Sequence, residues 1–330
     1  MTRNAKRLGE FALIAKHFAP LARNAPGALN LTDDAAAFVP PPGRDLVLTT
    51  DAIVAGVHFL ATDPPATIAQ KVLRVNLSDL AAKGATPSVY LLTLALPADL
   101  DDAWLKAFAS GLKRDQTRFA VTLVGGDTVA MPGPLTINVT AIGTVPHGKM
   151  LTRAGAQVGD DIWVSGTIGD AALGLRALQG DDLGLSAKQR DSLVARYRVP
   201  EPRTRLGPTL VGTAHASLDV SDGLIADLGH MSELSNVAIE IDAGDVPLSP
   251  AARAALSSTR ASLTEVLTGG DDYELAIAAP ASARKRITEL AAEAKTKLTR
   301  IGKASKGGGV AALGLDGKPL SFARGGYAHF

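Results

Sequence analysis

The chain has 330 residues, of which 46% are hydrophobic, and this length and composition predict two domains with separate cores. Lysine and arginine number 34 against 33 acidic residues, a balance that argues against a nucleic-acid or membrane-surface partner. The absence of cysteine excludes thiol catalysis, disulfides and thiolate metal sites, and it agrees with a cytoplasmic location.

The first half of the chain reads as alternating helices and strands. Apolar residues at helical spacing predict helices over 9–24, 66–84 and 101–114. Apolar runs between turn residues predict strands over 46–50, 88–96, 119–124 and 135–145. A new strand–helix series starts after Pro146-His147-Gly148, so we expect an N-terminal domain over 1–147 and a C-terminal domain over 148–330. No apolar run is long enough to predict a transmembrane segment.

The second half also reads as α/β. A strand at 162–164 leads into a helix near 171–179, and further strands are predicted at 237–241, 273–278 and 297–303. A helix is predicted over 281–294. The polar stretch 180–189 is interpreted as a surface excursion without regular structure.

Aspartates recur directly after apolar, strand-like runs, and this is the main functional signal. The acidic positions are Asp34, Asp51, Asp79, Asp127, Asp219, Asp222 and Asp271. Carboxylates at the ends of buried strands repel one another unless a cation lies among them, and hard oxygen ligands favour Mg²⁺. Since Mg²⁺ on a few carboxylates usually serves substrate phosphates, the pattern predicts a metal-dependent phosphoryl-transfer enzyme.

Other patterns are weaker. A single aspartate after a strand is more often a turn former or helix cap, the interpretation we favour for Asp170 and Asp227. Gly143–Lys149 matches seven positions of a P-loop, but Met150 replaces the metal-binding hydroxyl. No Gly-x-Gly-x-x-Gly follows a strand, and the six histidines lack zinc-site spacing. By spacing alone His58 is more often structural than catalytic, and spacing does not show that the acidic sites converge.

Several ordered segments together resemble the thiamine-monophosphate kinase family, a member of the aminoimidazole ribonucleotide synthetase and selenophosphate synthetase superfamily. The resemblance covers almost the whole chain. It is carried by Thr49–Asp51, Gly56–Phe59, Asn76–Ala82, Gly125–Thr128, Leu151–Arg153, Asp219–Leu224 and Gly269–Leu275. The chain departs from the family pattern at Thr32, where Gly-Asp-Asp is usual, and at Asp271, which is often glutamate.

The resemblance implies ATP-dependent phosphorylation of thiamine phosphate to thiamine diphosphate, without a covalent phosphoenzyme. It implies several Mg²⁺ ions on Asp34, Thr49, Thr50, Asp51, Asp79, Asp127, Asp219 and Asp222. It implies nucleotide contacts at Gly126, Asp127, Arg153 and Ser221, and thiamine phosphate contacts at His58 and Asp271. It also implies a homodimer in which the N-terminal domain forms a dimeric β-barrel, beside a C-terminal α/β domain.

Two alternatives remain open at this point. One is another ATP-dependent synthetase of the same superfamily, and the other is a non-enzymatic acidic module that binds metal or nucleotide. Formation of ADP that requires both Mg²⁺ and thiamine phosphate would separate the kinase from both.

Overall fold

The chain folds into two compact α/β units. The computed structural model describes residues 8–322 and 325–327. One unit contains the chain up to Leu80 and Thr86–His147, and the other contains Ala81–Ala85 and the chain from Gly148 onward. The mixed α/β, two-domain fold that the sequence predicts is confirmed. Within the described ranges, no helix combines the length and the apolar character that crossing a membrane requires.

The first unit combines one four-stranded sheet with two long helices. Its elements are α1 (Glu10–Leu13), β1 (Arg44–Val54), α2 (Pro65–Ala82), β2 (Thr86–Leu96), α3 (Asp102–Phe119), β3 (Thr122–Ala130) and β4 (Thr136–Pro146). The strand order is β1-β4-β2-β3. Strands β2 and β3 are parallel and the other neighbours are antiparallel. Strands β1 and β3 are therefore the two edges of this sheet.

The predicted helix over 9–24 forms only over residues 10–18 and then breaks into short turns. After α1 the chain forms one wide helical turn over Ile14–Phe18, followed by 3₁₀ turns at Ala19–Leu21 and Pro26–Leu31. Pro20 explains the interruption, because proline lacks the backbone N–H that a continuing helix needs and its ring clashes with the preceding turn.

The two faces of the first sheet differ in exposure. Tyr90 of β2 is fully buried and its hydroxyl donates to Gln116 of α3 at 2.9 Å, which places α3 over that face. On the opposite face Leu46, Leu48 and Leu91 remain exposed, Leu48 to 63%. Alternation of buried and exposed residues is normal for a strand with one covered face, but large apolar side chains on the open face are not.

The second unit contains a six-stranded sheet. Its strands are β5 (Asp160–Ser165), β6 (Ala216–Val220), β7 (Ala238–Asp242), β8 (Glu274–Pro280), β9 (Leu298–Ser305) and β10 (Val310–Leu313). Its helices are α4 (Asp170–Leu178), α5 (Ala187–Arg198), α6 (Leu224–Ser235), α7 (Pro250–Ser257), α8 (Leu263–Thr268) and α9 (Arg284–Glu293). The strand order is β10-β7-β9-β5-β8-β6.

Both faces of the second sheet are covered in its central strands. Ile162 and Val164 of β5 pack into one hydrophobic cluster, while Trp163 between them packs into another, with Ile277 and Leu290. Burial on both faces explains why β8 is apolar almost throughout and why β5 carries three consecutive apolar residues, Ile162–Val164, instead of alternating.

Helix α5 begins inside the stretch that the sequence analysis leaves without regular structure. Ser186 accepts a hydrogen bond from the backbone N–H of Gln189, and the Gln189 side chain accepts one from the backbone N–H of Ser186. This reciprocal cap occupies two of the unpaired donors at a helix start. The Ser-x-x-Gln pattern was readable in the sequence, so the helix could have been predicted from it.

Candidate active site

Strand β1 and helix α2 bring one group of the predicted metal ligands together. The Thr49 hydroxyl donates to the Asp79 carboxylate at 2.5 Å, so these two side chains are in direct contact. Next along β1, the backbone N–H of Asp51 donates to Asn76 of α2 at 3.0 Å. Asn76 is fully buried and anchors its own amide on the Val72 carbonyl, so it fixes the strand against the helix. Asp79 lies within helix α2, so the expectation that this aspartate follows a strand is wrong.

A second group lines a cavity of about 1020 Å³ in the same unit. Asp34, Gly126 and Asp127 all contribute to its wall, together with Thr140 of β4. The Thr50 hydroxyl lies 3.0 Å from that of Thr140, so Thr50 belongs to this face of the sheet and not to the α2 face. Apolar side chains complete the wall, among them Phe11, Phe18 and Ile142.

Asp51 of the first group and Asp127 of the second lie on opposite edge strands of one sheet. Asp51 pairs with Val139 of β4, Val139 pairs with Leu92 of β2, and Leu92 pairs with Gly126 of β3. Three strand spacings separate β1 from β3, about 14 Å. Since paired residues share a face and successive residues alternate, Asp51 and Asp127 also point to opposite faces. The structure thus separates, within one copy, two carboxylates of the residue set that the resemblance assigns to several Mg²⁺ ions.

Gly126 has a structural role of its own. A β-carbon there would lie 1.8 Å from the Leu92 carbonyl oxygen, and φ is +152°. Glycine is therefore required for the close approach of β3 to β2, beside the register shift between Tyr90 and Leu91.

His58 lies in a tight loop that follows β1. Its Nδ1 accepts a hydrogen bond from the backbone N–H of Val54 at 3.1 Å, and its own backbone N–H donates to the Val54 carbonyl at 2.9 Å. Because Nδ1 is the acceptor, the proton of the neutral ring resides on Nε2. The hydrogen bond to Nδ1 thereby orients the ring and places its N–H at Nε2, a group that can donate to a phosphate oxygen.

In the second unit a turn at the end of β6 presents further predicted ligands. Asp219 is buried in β6, and Ser221 and Asp222 follow it. The backbone N–H groups of Ser221, Asp222 and Gly223 all donate to one carboxylate oxygen of Asp227, at 3.0, 3.0 and 3.2 Å. Asp227 therefore organises the turn, in agreement with the interpretation of this residue as a turn former.

The carboxyl group of Asp227 has a raised pKa. Burial, reinforced by the nearby Asp222 carboxylate, raises the pKa of Asp227 from 3.8 to about 7, with Arg153 acting in the opposite direction. Asp222, Asp227 and the exposed His230 each place one possible ligand atom within 4.8 Å of the others. No sequence motif marks His230, although Asp227 and His230 stand three residues apart on α6, a spacing that puts both on one face.

The acidic segment Gly269–Glu274 divides into different roles. Asp272 is fully buried and accepts the backbone N–H groups of Gly169 and Ala171 at the start of α4. Burial raises the pKa of Asp272. Glu274 is fully buried and binds two arginines, Arg196 and Arg203. Both residues are structural supports.

Asp271 is the half-buried carboxylate of that segment. Its backbone N–H donates to the Ser221 carbonyl at 2.8 Å, so it lies directly beside the Ser221–Asp222 turn. The backbone N–H of Tyr327 donates to the Asp222 carbonyl at 2.9 Å, which brings a half-exposed aromatic ring to the same turn. Phe322 instead packs against the hydrophobic cluster of the second unit. The structure thus gathers Ser221, Asp222, Asp271 and Tyr327.

Comparison with known proteins identifies the family. The family models for AIR synthase related protein match residues 32–145 with the N-terminal domain and residues 157–314 with the C-terminal domain. A curated thiamine-monophosphate kinase from Caulobacter vibrioides is 42% identical over 97% of this chain and 90% of its own length. The chain belongs to the thiamine-monophosphate kinase family.

Solved structures of this family have the same fold. Thiamine-monophosphate kinase from Stenotrophomonas maltophilia K279a superimposes with a TM-score of 0.78 at 42% identity, covering 88% of this chain and 91% of that one. The protein AaThiL, complexed with AMPPCP and TMP, superimposes with a TM-score of 0.78 at 31% identity, covering 88% and 89%. The resemblance noted in the sequence is confirmed over both units.

Proposed function

We propose that the chain transfers the γ-phosphoryl group of ATP directly to thiamine phosphate, giving thiamine diphosphate and ADP. The observation that carries the proposal is the 42% identity to a thiamine-monophosphate kinase over 97% of this chain. A related protein, AaThiL, was solved in complex with AMPPCP and TMP. The chain is an ATP-dependent kinase of thiamine phosphate. In-line transfer needs positioning and charge neutralisation and no covalent catalyst, so no residue is assigned as a nucleophile.

The proposed Mg²⁺ ligands are oxygen atoms throughout, which fits a hard cation. They are Asp34, Thr49, Thr50, Asp51, Asp79, Asp127, Asp219 and Asp222. The contact of a hydroxyl with a carboxylate at Thr49 and Asp79 supports the choice, because two such oxygens can serve one ion. Bound Mg²⁺ would neutralise the phosphate charges during transfer.

The proposed substrate contacts divide between the units. Gly126, Asp127, Arg153 and Ser221 are assigned to the nucleotide, and His58 and Asp271 to thiamine phosphate. The Nε2–H of His58 donates to a phosphate oxygen, while Tyr327 is the exposed aromatic residue suited to packing on the thiamine rings. A cytoplasmic location stays a prediction.

We further propose a homodimer in which the open face of the first sheet is covered by a second copy. The exposed Leu46, Leu48 and Leu91 support this, because such apolar patches mark interfaces. We propose in addition that the β1 edge of one copy adjoins the β3 edge of its partner, as in a dimeric β-barrel, which would bring the edge that carries the β1–α2 group beside the cavity group of the other copy. Light scattering at micromolar protein is expected to give twice the 34.0 kDa chain mass, and a mass near 34.0 kDa contradicts the dimer.

The reaction is tested with [γ-³²P]ATP. The label is expected in thiamine diphosphate only when Mg²⁺ and thiamine phosphate are both present, and a chelator in excess is expected to stop the transfer. Label in inorganic phosphate with no acceptor dependence, or label retained on the protein, contradicts direct transfer. Nucleotide binding without any formation of thiamine diphosphate would instead favour the alternative of a non-enzymatic module that binds metal or nucleotide.

A further inference from the structure

Helix α2 carries a lysine inside the first unit that the proposed chemistry leaves unused. Lys71 is only 2% exposed. Lysine is almost never fully buried unless its ammonium group is paired, because the charge is costly to remove from water. Its position therefore calls for a specific partner rather than a solvated surface role.

The partner is the loop that carries His58. The Lys71 ammonium donates to the backbone carbonyl of His58 at 2.8 Å. A hydrogen bond from a charged donor is stronger than one between neutral groups. The helix thus holds the peptide unit of His58 from the interior of the unit.

The rest of the loop is fixed at neighbouring atoms. The His58 ring is held at Nδ1 by the Val54 N–H, and the Leu60 N–H donates to the buried Asp63 carboxylate at 2.9 Å. Gly56, with φ at +82°, donates to the Phe59 carbonyl and closes the turn. The Lys71 contact ties the histidine's own carbonyl to a rigid helix, so it fixes the peptide unit from which the oriented ring extends.

We infer that Lys71 is a positioning residue for the acceptor phosphate, acting through His58. The inference rests on the proposed role of His58 in binding thiamine phosphate. Fixing the donor in advance removes the entropy cost of ordering it when the substrate arrives. Loss of the Lys71 ammonium removes its hydrogen bond to the His58 carbonyl. The His58 backbone is then held less firmly, and the Nε2–H of the ring is displaced from the phosphate oxygen.

A double-mutant cycle tests the inference. Lys71→Met keeps the length of the side chain and removes its charge, and it is combined with His58→Ala. The loss of one charge-assisted hydrogen bond predicts about a tenfold fall in kcat/KM for thiamine phosphate in Lys71→Met, while affinity for a non-hydrolysable ATP analogue is unchanged. In the His58→Ala background the same substitution is expected to have no further effect, because the residue through which it acts is gone.

Two matched substitutions separate positioning from general damage to α2. Arg74→Met removes another buried cation, which binds Asp115 at 2.6 and 2.8 Å, three residues further along the same helix. It is expected to lower Tm and to leave KM for thiamine phosphate unchanged. Lys106→Met removes an exposed charge from α3 and is expected to change neither quantity.

The outcomes are distinguishable from failure of the proposed function. A tenfold loss that persists in the His58→Ala background overturns the inference, although the wild-type enzyme still makes thiamine diphosphate. Unchanged thiamine phosphate kinetics in His58→Ala overturn both the His58 assignment and the inference. If Lys71→Met does not fold, Lys71→Arg keeps the charge but displaces the donor; a rise in KM supports positioning, and wild-type kinetics refute it.

Discussion

Replacement of Asp227 by asparagine should remove a large pH dependence from the stability of the second unit. The carboxyl is buried, and its pKa is raised from 3.8 to about 7 by burial and by Asp222. Because the folded state holds this proton more tightly than the unfolded chain, the favourable contribution is complete below about pH 4 and is lost as pH rises through 7. Ionisation costs the folded state about 4 kcal/mol over that interval.

The two substitutions at this position predict different results. Asp227→Asn keeps an oxygen acceptor for the three backbone N–H groups and removes the ionisation. Its unfolding free energy minus that of the wild type should rise by about 4 kcal/mol between pH 4 and pH 8. Asp227→Ala removes the acceptor and is expected to be less stable at pH 4 by about 3 kcal/mol, about 1 kcal/mol per hydrogen bond.

The measurement needs a reporter for the second unit alone. The chain contains two tryptophans, and Trp163 is buried in β5 of that unit. In a Trp104→Phe background, urea unfolding followed by Trp163 fluorescence in EDTA isolates the transition. Wild type and Asp227→Asn curves that run parallel between pH 4 and pH 8 refute the reasoning. Addition of Mg²⁺ should flatten the wild-type profile, because a cation on Asp222 favours the ionised Asp227.

Three further predictions address the metal site and the stability of the second unit. Asp51→Asn should keep the fold and lose most phosphoryl transfer, since a ligand charge is removed; near-normal turnover at saturating Mg²⁺ contradicts this. Glu274→Gln should lower the unfolding free energy by about 3–5 kcal/mol, because two arginines lose their buried counter-ion, and an unchanged urea midpoint rejects it. Arg284 holds the pKa of Asp161 below its usual range, so Asp161→Asn should lower Tm at pH 7. That Tm difference should shrink as the wild-type carboxyl is protonated below pH 4, and a constant difference down to pH 2 argues against it.

The long periodic elements were predictable and the short ones were not. Helix α2 and strand β4 were predicted within a few residues, since each carries a sustained apolar pattern. The predicted helix over 9–24 extends too far, beyond residue 18, because apolar spacing was weighed more heavily than Pro20. Helix α5 is polar over most of its surface, so its capping sequence, and not an apolar pattern, was the signal that could have predicted it.

The residue types of the proposed site follow from the sequence, but their arrangement in space does not. Acidic segments beside hydroxyls indicated Mg²⁺ chemistry, yet spacing along the chain contains no information on strand order. Only the order β1-β4-β2-β3 reveals that Asp51 and Asp127 occupy opposite edges. The supporting roles of Asn76 and Lys71 were not predictable, because both residues act through backbone atoms of other segments.

A site shared between two copies is the central claim of the proposed arrangement, and mixed dimers test it most directly. Chains carrying Asp51→Asn and Asp127→Asn are co-expressed with different tags, and the heterodimer is purified through both tags. Each homodimer is expected to be inactive. If the carboxylates come from different copies, one site of the heterodimer has both and the other has neither, so about half of the wild-type activity per dimer should return. If both belong to one copy, each site lacks one carboxylate, and a heterodimer as inactive as the two parents contradicts the account.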